Sequence, residues 1–122
     1  MVQLRSIIKP ADNSGAKRAQ VIHIYVGSKH KSASIGDIVL VAVKDATPNS
    51  AVSKKDKVKM LIVRTRKEIS RTDGSHIRFS DNAGVVIDAQ NNPRGSRIFG
   101  PIAREIKTLG YNQIVSLAKE VY

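Results

Sequence analysis

The sequence predicts a mainly β fold, a small closed β-barrel with a projecting hairpin and a helical appendage at its C-terminal end. Three observations support this prediction. Up to about residue 90, short runs rich in β-branched residues alternate with turn residues, which is typical of small barrels. One of these runs changes from apolar to charged midway. The last quarter changes to the apolar spacing of helices.

Two runs are the clearest strand candidates. Residues 21–26 are rich in β-branched side chains, and strand alternation places Ile22, Ile24 and Val26 on one face. Residues 38–43 are apolar on both faces. A strand of that kind is usually buried on both sides, so we expect residues 38–43 to form a central strand.

A hairpin that leaves the core is predicted further along the chain. Residues 58–67 have strand character, but residues 64–67 are nearly all charged. Asp73-Gly74 is a strong hairpin signal, because this pair tolerates the positive φ angles of tight turns. The return strand is expected over about residues 76–80, which completes a ribbon that projects into solvent or onto a ligand.

Two short helices are predicted near the C-terminal end. Pro101 is expected at the first helical position, where a missing N–H costs little. Apolar residues recur from there at i, i+4 and i+7, on one face: Ile102, Ile106 and Leu109. Gly110 is expected to end this helix and Asn112 to cap the next. We expect one domain over residues 1–122, with barrel and ribbon to about residue 100 and helices over about 101–122.

The charge balance indicates a polyanionic partner. The 122 residues include 21 Lys and Arg against 10 Asp and Glu, a formal net charge of +11. Nucleic acid is the first candidate and an anionic membrane surface the second. Without cysteine, disulfides and Cys-ligated metal sites are excluded. The longest apolar run, residues 38–43, is too short to span a membrane, and the first residues do not resemble a signal peptide. The sequence is therefore expected to be soluble and intracellular.

Catalytic patterns are weak. The histidines fall at irregular spacing, at His23, His30 and His76. The acidic residues are scattered, and Asp37, Asp73 and Asp81 lie in turn-like contexts where Asp bonds to nearby backbone. Since neither a nucleophile–base pair nor a metal-ligand set can be named, we expect no enzyme activity, no cofactor and no metal site.

Basic residues concentrate in the predicted hairpin region. Nine of the 21 lie between positions 54 and 78: Lys54, Lys55, Lys57, Lys59, Arg64, Arg66, Lys67, Arg71 and Arg78. Lys17-Arg18 and residues 29–31 form lesser clusters. A solvated charged hairpin is the simpler interpretation, but the net charge favours contact with RNA or DNA phosphates.

The few aromatic residues bear on how such contact would be made. Phe79 and Phe99 have apolar neighbours in the sequence and are expected in the core. Single-strand binders stack bases on exposed aromatic side chains. We therefore expect contact with the backbone and shape of folded RNA rather than base stacking.

Three blocks of sequence resemble one family. Residues 11–17, Ala-Asp-Asn-Ser-Gly-Ala-Lys, are similar to the N-terminal signature of the universal large-subunit ribosomal protein 14 family. Residues 61–65, Leu-Ile-Val-Arg-Thr, begin a central block that continues to residues 85–86. Residues 97–105, Arg-Ile-Phe-Gly-Pro-Ile-Ala-Arg-Glu, with Ser-Leu-Ala at 116–118, resemble its C-terminal block. The three blocks occur in order over nearly the whole chain.

The resemblance implies a five-stranded closed barrel, a protruding β-ribbon and a pair of short C-terminal helices. It implies a structural constituent of the large ribosomal subunit that binds large-subunit rRNA. The implied partners are large-subunit proteins 3 and 19, small-subunit rRNA across the subunit interface, and a ribosome-silencing factor. The short C-terminal end is similar to the bacterial or organellar branch. A cytoplasmic ribosome is expected, with an organellar ribosome as the open alternative.

Site residues follow from this resemblance together with the basic clusters. The expected rRNA-binding set is Asn13, Ser14, Lys17, Arg18, Lys29, Lys31, Lys54, Lys55, Arg64, Arg66, Lys67, Arg71 and Arg78. The expected subunit-interface set is Lys44, Asn49, Ser96 and Arg97. Two positions depart from the family pattern. Met60 stands where a small residue is usual, which implies a locally adjusted barrel interior, and Asn49 stands where bacterial members commonly carry a basic residue.

Two alternatives from other classes remain open on the sequence. One is a small barrel that regulates translation or transcription off the ribosome by binding a specific RNA. The other is a basic enzyme that acts on nucleic acid. Co-sedimentation with large subunits distinguishes the first alternative from a ribosomal role, and an essential acidic residue or histidine would indicate the second.

Overall fold

The computed structural model describes residues 2–25, 32–48 and 52–122. The strands are β1 (Val2–Gln3), β2 (Ile7–Pro10), β3 (Ala16–Ile24), β4 (Ser32–Ala33), β5 (Ile38–Ala46), β6 (Lys57–Arg64), β7 (Ile69–Ser70), β8 (His76–Ile77) and β9 (Ala83–Ile87), and the helices are α1 (Glu105–Thr108) and α2 (Asn112–Leu117).

Five strands close into a barrel in the order β2-β3-β5-β6-β9, and a parallel pairing of β9 with β2 completes the ring. Closure leaves no open sheet edge in the barrel, which small β proteins otherwise have to protect. The predicted fold class is confirmed. The central-strand prediction is confirmed as well, since β5 pairs with both β3 and β6 and buries Val39, Val41 and Val43.

A second apolar cluster joins the barrel to the C-terminal segment. Strands β6 and β9 bury side chains on both faces, because their outer faces are covered by residues that follow the barrel. Leu61 and Val85 belong to this outer cluster together with Ile102, Ile106 and Ile114. Packing of this kind fixes the C-terminal helices against the barrel wall.

The predicted face of β3 is partly wrong. Ile24 is buried, but Ile22 is 38% exposed. The pairing of β3 with β5 shifts register between Val21 and His23, and such a bulge interrupts the alternation of faces. The third residue of the predicted face, Val26, lies outside the described residues.

The ribbon is present but shorter than expected. The predicted strand over residues 58–67 is wrong beyond Arg64, where β6 ends. The backbone N–H of Arg66 donates to the side chain of Asn82, at 2.9 Å, instead of continuing the strand. Strands β7 and β8 then form a two-stranded antiparallel sheet. The Asp73-Gly74 turn is confirmed, with Gly74 at a φ of +88°.

The C-terminal helices also start later than predicted. Helix α1 begins at Glu105, so Pro101 is not its first residue, and Leu109 is exposed rather than part of the buried stripe. Gly110 does end the helix, at a φ of +93°. Asn112 is the first residue of α2 and not its cap. None of the helices in the described ranges is long and apolar enough to cross a membrane.

Met60 is accommodated inside the barrel by a glycine on the neighbouring strand. The Met60 side chain is fully buried. A Cβ atom on Gly84 would lie 2.5 Å from Met60 Cγ and 2.7 Å from its Sδ. The larger side chain therefore occupies room that only a glycine leaves, which is the local adjustment that Met60 implies.

Candidate nucleic-acid interface

Four basic side chains from three parts of the chain line one open depression on the barrel. Lys9 lies on β2, Lys17 and Arg18 lie at the start of β3, and Arg66 follows the end of β6. The depression has a volume of about 520 Å³, and all four residues are exposed. Cations gathered around a concave surface suit a phosphate backbone, because each can neutralise a phosphate charge.

Asn82 fixes the geometry of this depression. Its side-chain oxygen accepts the backbone N–H of Arg66 at 2.9 Å, and its backbone carbonyl accepts the N–H of Lys9 at 3.1 Å. These two bonds hold the chain after β6 next to β2. Arg66 and Lys9 are thereby brought to the same rim although they are far apart in the sequence.

Two carboxylates lie near these cations. Asp81 lines the depression, but its charge is compensated by Arg64, whose Nε lies 3.1 Å from Asp81 Oδ1. Asp45 on β5 is the Cα partner of Arg18 in the strand ladder. The depression therefore keeps an excess of positive charge.

Arg64 has a structural position although it was predicted to bind RNA. It is only 6% exposed. Its Nη1 donates to the carbonyls of Phe99, at 2.9 Å, and Pro101, at 3.2 Å, and its Nη2 donates to Asp81 at 3.3 Å. The guanidinium thus joins the end of β6 to the segment before α1. These contacts engage the Arg64 guanidinium within the protein.

Arg71 is also engaged within the protein. Its Nε donates to Glu105 Oε1 at 2.7 Å and its Nη2 to Glu105 Oε2 at 3.3 Å. This two-pronged pair ties the ribbon loop to α1. The remaining ribbon cations, Arg66, Lys67 and Arg78, have exposed side chains.

Asp12 acts as a continuation of strand β2. Its carboxylate accepts the Val86 N–H at 3.0 Å and the Ser14 hydroxyl at 2.8 Å. Strand β2 ends at Pro10, so the Asp12 side chain supplies the acceptor that the next strand residue would have offered β9. Burial raises the pKa of the Asp12 carboxyl, although these hydrogen bonds oppose the shift. Ser14, predicted to bind RNA, is buried with it.

Asn13 holds a loop that is distant in the sequence. Its Oδ1 accepts the backbone N–H groups of Ser96 at 2.7 Å and Arg97 at 3.0 Å, and its Nδ2 donates to Ser96 Oγ at 2.9 Å. A Cβ atom on Gly95 would lie 2.6 Å from Asn13 Oδ1, so the loop approaches closely only because residue 95 is a glycine. The segment predicted to bind RNA through Asn13 thus positions a second loop.

A comparison with protein families matches the whole chain, residues 1–122, to the family described as Ribosomal protein L14p/L23e. The chain belongs to this family. It is therefore a large-subunit ribosomal protein, a member of a structural family that associates with the large subunit and its rRNA. The resemblance in the three sequence blocks is confirmed.

Within this family member, two residues of the predicted subunit-interface set come together. Ser96 and Arg97 line a depression of about 500 Å³ with Phe99 and Lys119. Arg97 is exposed, and the Glu105 carboxylate that could have paired with it is bonded to Arg71 instead. Lys44 lies apart, near the end of β5, and Asn49 lies outside the described residues.

The other predicted RNA ligands divide by position. Lys54 and Lys55 precede β6, at the opposite end of that strand from Arg66, and both are exposed. Lys29 and Lys31 lie outside the described residues.

The sequence-based prediction of the RNA-binding set missed Lys9. The adjacent Ile7 and Ile8 give no alternating pattern in the sequence. Only the assignment of β2, in which Ile8 is buried, places Lys9 on the outer face.

Proposed function

We propose that this large-subunit ribosomal protein binds large-subunit rRNA through the depression lined by Lys9, Lys17, Arg18 and Arg66. The observation that carries the proposal is their convergence from three parts of the chain onto one concave, positively charged surface. The depression is lined by aliphatic and polar side chains besides the cations, so the contacts there are to phosphates and sugars. The exposed ribbon cations extend this surface.

A second part of the proposal concerns the subunit interface. Hydrogen bonds to Asn13 hold the backbone of Ser96 and Arg97 in place, and the exposed guanidinium of Arg97 is the group available to a ligand. An arginine fork suits phosphate oxygens. The resemblance supports a contact with small-subunit rRNA here, docking of a ribosome-silencing factor, and neighbours in large-subunit proteins 3 and 19.

The remaining expectations belong to the same proposal. The outer apolar cluster that joins the barrel wall to both helices supports one domain over residues 1–122. The role is structural and not enzymatic. The protein acts on a cytoplasmic ribosome, and an organellar ribosome remains the alternative.

A charge-reversal pair tests the rRNA-binding surface. Lys17→Glu with Arg18→Glu should lower the affinity for large-subunit rRNA and reduce the slope of log K against log salt, by about 0.7–0.9 for each phosphate that is no longer neutralised. Arg104→Glu with Lys107→Glu is the control, since it makes the same change in net charge on an exposed part of the α1 segment. Equal reductions of affinity in the two double variants would show that only net charge matters, and the depression would not be the site.

Arg97→Glu tests the interface part separately. We expect large-subunit incorporation and thermal melting to be nearly unchanged and association with small subunits to weaken. Normal association of subunits that carry this variant would contradict the interface role of Arg97.

A further inference from the structure

Phe99 is an exposed aromatic residue on a rigid backbone. Its side chain is 55% exposed. Its N–H donates to the Ala11 carbonyl at 2.6 Å, and its carbonyl accepts Arg64 Nη1 at 2.9 Å. The expectation that Phe99 belongs to the core is wrong, because these bonds hold the backbone in an orientation that turns the ring outward.

The neighbours of Phe99 make this orientation inflexible. Ile98 is buried, which anchors the chain on one side. Gly100 has a φ of +83°, and a Cβ atom there would collide with the Arg64 guanidinium. A ring presented by a fixed backbone loses little conformational entropy when it binds a ligand.

A single exposed phenylalanine is ordinary on a protein surface, so its setting decides the interpretation. Phe99 lines an open depression of about 450 Å³ together with Pro10, Phe79, Pro101 and Lys9. This volume is within the usual range for small-ligand sites. The walls are mostly apolar, and Lys9 contributes a cation.

The Phe99 depression adjoins the cationic depression described above. Lys9, Ser80 and Asp81 line both of them. An aromatic surface thus lies next to a surface that carries Lys17, Arg18 and Arg66. Among the described residues that line either depression, Asp81 alone carries a carboxylate, and Arg64 compensates its charge.

We propose that the Phe99 depression binds one unpaired nucleotide of rRNA, with the base stacked on the Phe99 ring and the flanking phosphates over Lys9 and the adjoining cations. A base inside a duplex has both faces covered by its neighbours, so the ligand is a bulged or looped-out nucleotide. An apolar peptide would use the apolar surface but would leave the adjoining positive charge unneutralised, whereas a nucleotide supplies both a flat base and phosphates. The site depends on the RNA binding proposed above and adds to it a preference for unpaired bases.

A single-tryptophan reporter tests this proposal directly. The chain has no tryptophan, so Phe99→Trp introduces the only one. Its fluorescence should be quenched by an RNA hairpin with one unpaired adenosine and much less by the same hairpin fully paired. Tyr25→Trp is the matched control, since Tyr25 is exposed but lines neither depression. Equal quenching of both reporters, or by both hairpins, would overturn the stacking site.

Affinity measurements separate stacking from charge. Phe99→Ala should weaken binding of the bulged hairpin about 5- to 150-fold, the range for removal of one stacked base, and should shift log K without changing its salt slope. Phe99→Tyr should retain binding. Lys17→Glu with Arg18→Glu should change the slope instead.

The outcomes distinguish the two proposals. If wild-type protein binds with a salt slope and Phe99→Ala binds both hairpins as tightly as wild type, only the nucleotide site fails. If binding has no salt dependence in the wild type, the proposed function fails and the nucleotide site with it. If Phe99→Ala impairs incorporation into subunits but leaves binding of both hairpins unchanged, the ring contacts a neighbouring protein. The nucleotide proposal is then wrong.

Discussion

Arg64 and Arg66 are two positions apart, carry the same side chain and have opposite environments. Arg64 is the last residue of β6, and its guanidinium is buried against two carbonyls and Asp81. Arg66 follows the strand, is exposed and lines the cationic depression. A basic residue near a strand end can therefore stabilise the fold from within or bind a ligand at the surface. The number of basic residues in a segment does not distinguish these two roles.

The largest effect on stability is expected from substitution of Arg64, the internal member of this pair. Arg64→Met should reduce the free energy of unfolding by about 3 kcal/mol. The substitution leaves the Phe99 and Pro101 carbonyls without their donor and Asp81 without its partner. We take the lower end of the range for buried pairs because the Asp81 side chain is 34% exposed. Urea denaturation measures the difference.

Arg66→Met is the control for that experiment. Its unfolding free energy should stay within about 0.5 kcal/mol of wild type, as is usual for surface changes. Its affinity for rRNA should fall, with a smaller salt slope. A larger decrease in stability at Arg66 than at Arg64 would reverse the comparison.

The same contrast explains how far the sequence predicted the structure. Apolar and β-branched runs between turn residues were sufficient for the barrel. The run at residues 38–43, apolar on both faces, predicted a central strand, and β5 does lie between β3 and β6. The bulge in β3 and the end of β6 were not predictable, because both depend on which strand lies alongside. Lys17 and Arg18 were predicted from the basic clusters and the family resemblance, while Lys9 required the assignment of β2.

The N-terminal signature shows the same limit in the site. Asp12 and Asn13 match the family motif, but the motif does not say what the side chains contact. In the structure they bond to the backbone of residues 86, 96 and 97. Contacts between residues so distant in the sequence depend on closure of the barrel, which local pattern cannot supply.

Asp12 gives the next largest expected effect. Asp12→Ala should cost about 1–3 kcal/mol, since the buried Val86 N–H loses its acceptor. Asp12→Asn should change the free energy of unfolding little near pH 7, because its amide oxygen can still accept that N–H. Thermal denaturation of both variants measures the two effects.

The pH dependence of Asp12→Asn sharpens this test. The folded-state pKa of Asp12 is raised above its ordinary value of 3.8, so the folded protein holds this proton more tightly than the unfolded chain. The stability contributed by the protonated group is present below pH 3.8 and is lost as the pH rises through the raised folded-state value. As the pH rises through that window, the wild type loses this contribution and Asp12→Asn does not. Asp12→Asn should therefore gain stability relative to wild type with rising pH. A relative decrease would contradict the direction of the shift.

Asn13 should have a smaller effect on stability and a specific effect on association. Asn13→Ala removes three hydrogen bonds at an exposed site, which should cost about 1 kcal/mol. Asn13→Asp is the control, since a carboxylate can accept both N–H groups and the Ser96 hydroxyl proton. If Asn13 acts by positioning Arg97, Asn13→Ala should weaken subunit association in the wild-type background but not in Arg97→Ala. Equal weakening in both backgrounds would make its effect independent of Arg97.

The smallest expected effect concerns the ribbon, where Arg71 is a part-buried counterpart of the exposed ribbon cations. Breaking its pair with Glu105 should cost at most about 1 kcal/mol, because the Glu105 side chain is 32% exposed. The local effect should be clearer. Amide hydrogen exchange in β7 and β8 should accelerate in Arg71→Ala while β5 stays protected, since the pair ties the ribbon loop to α1.

Glu105→Ala should give the same exchange pattern, and the double variant should add little to the effect of either single variant. Arg71→Lys should recover only part of the protection, because an ammonium group cannot make the two-pronged contact. Unchanged exchange in all these variants would mean that the apolar contacts of Ile69 and Phe79 hold the ribbon without the ion pair.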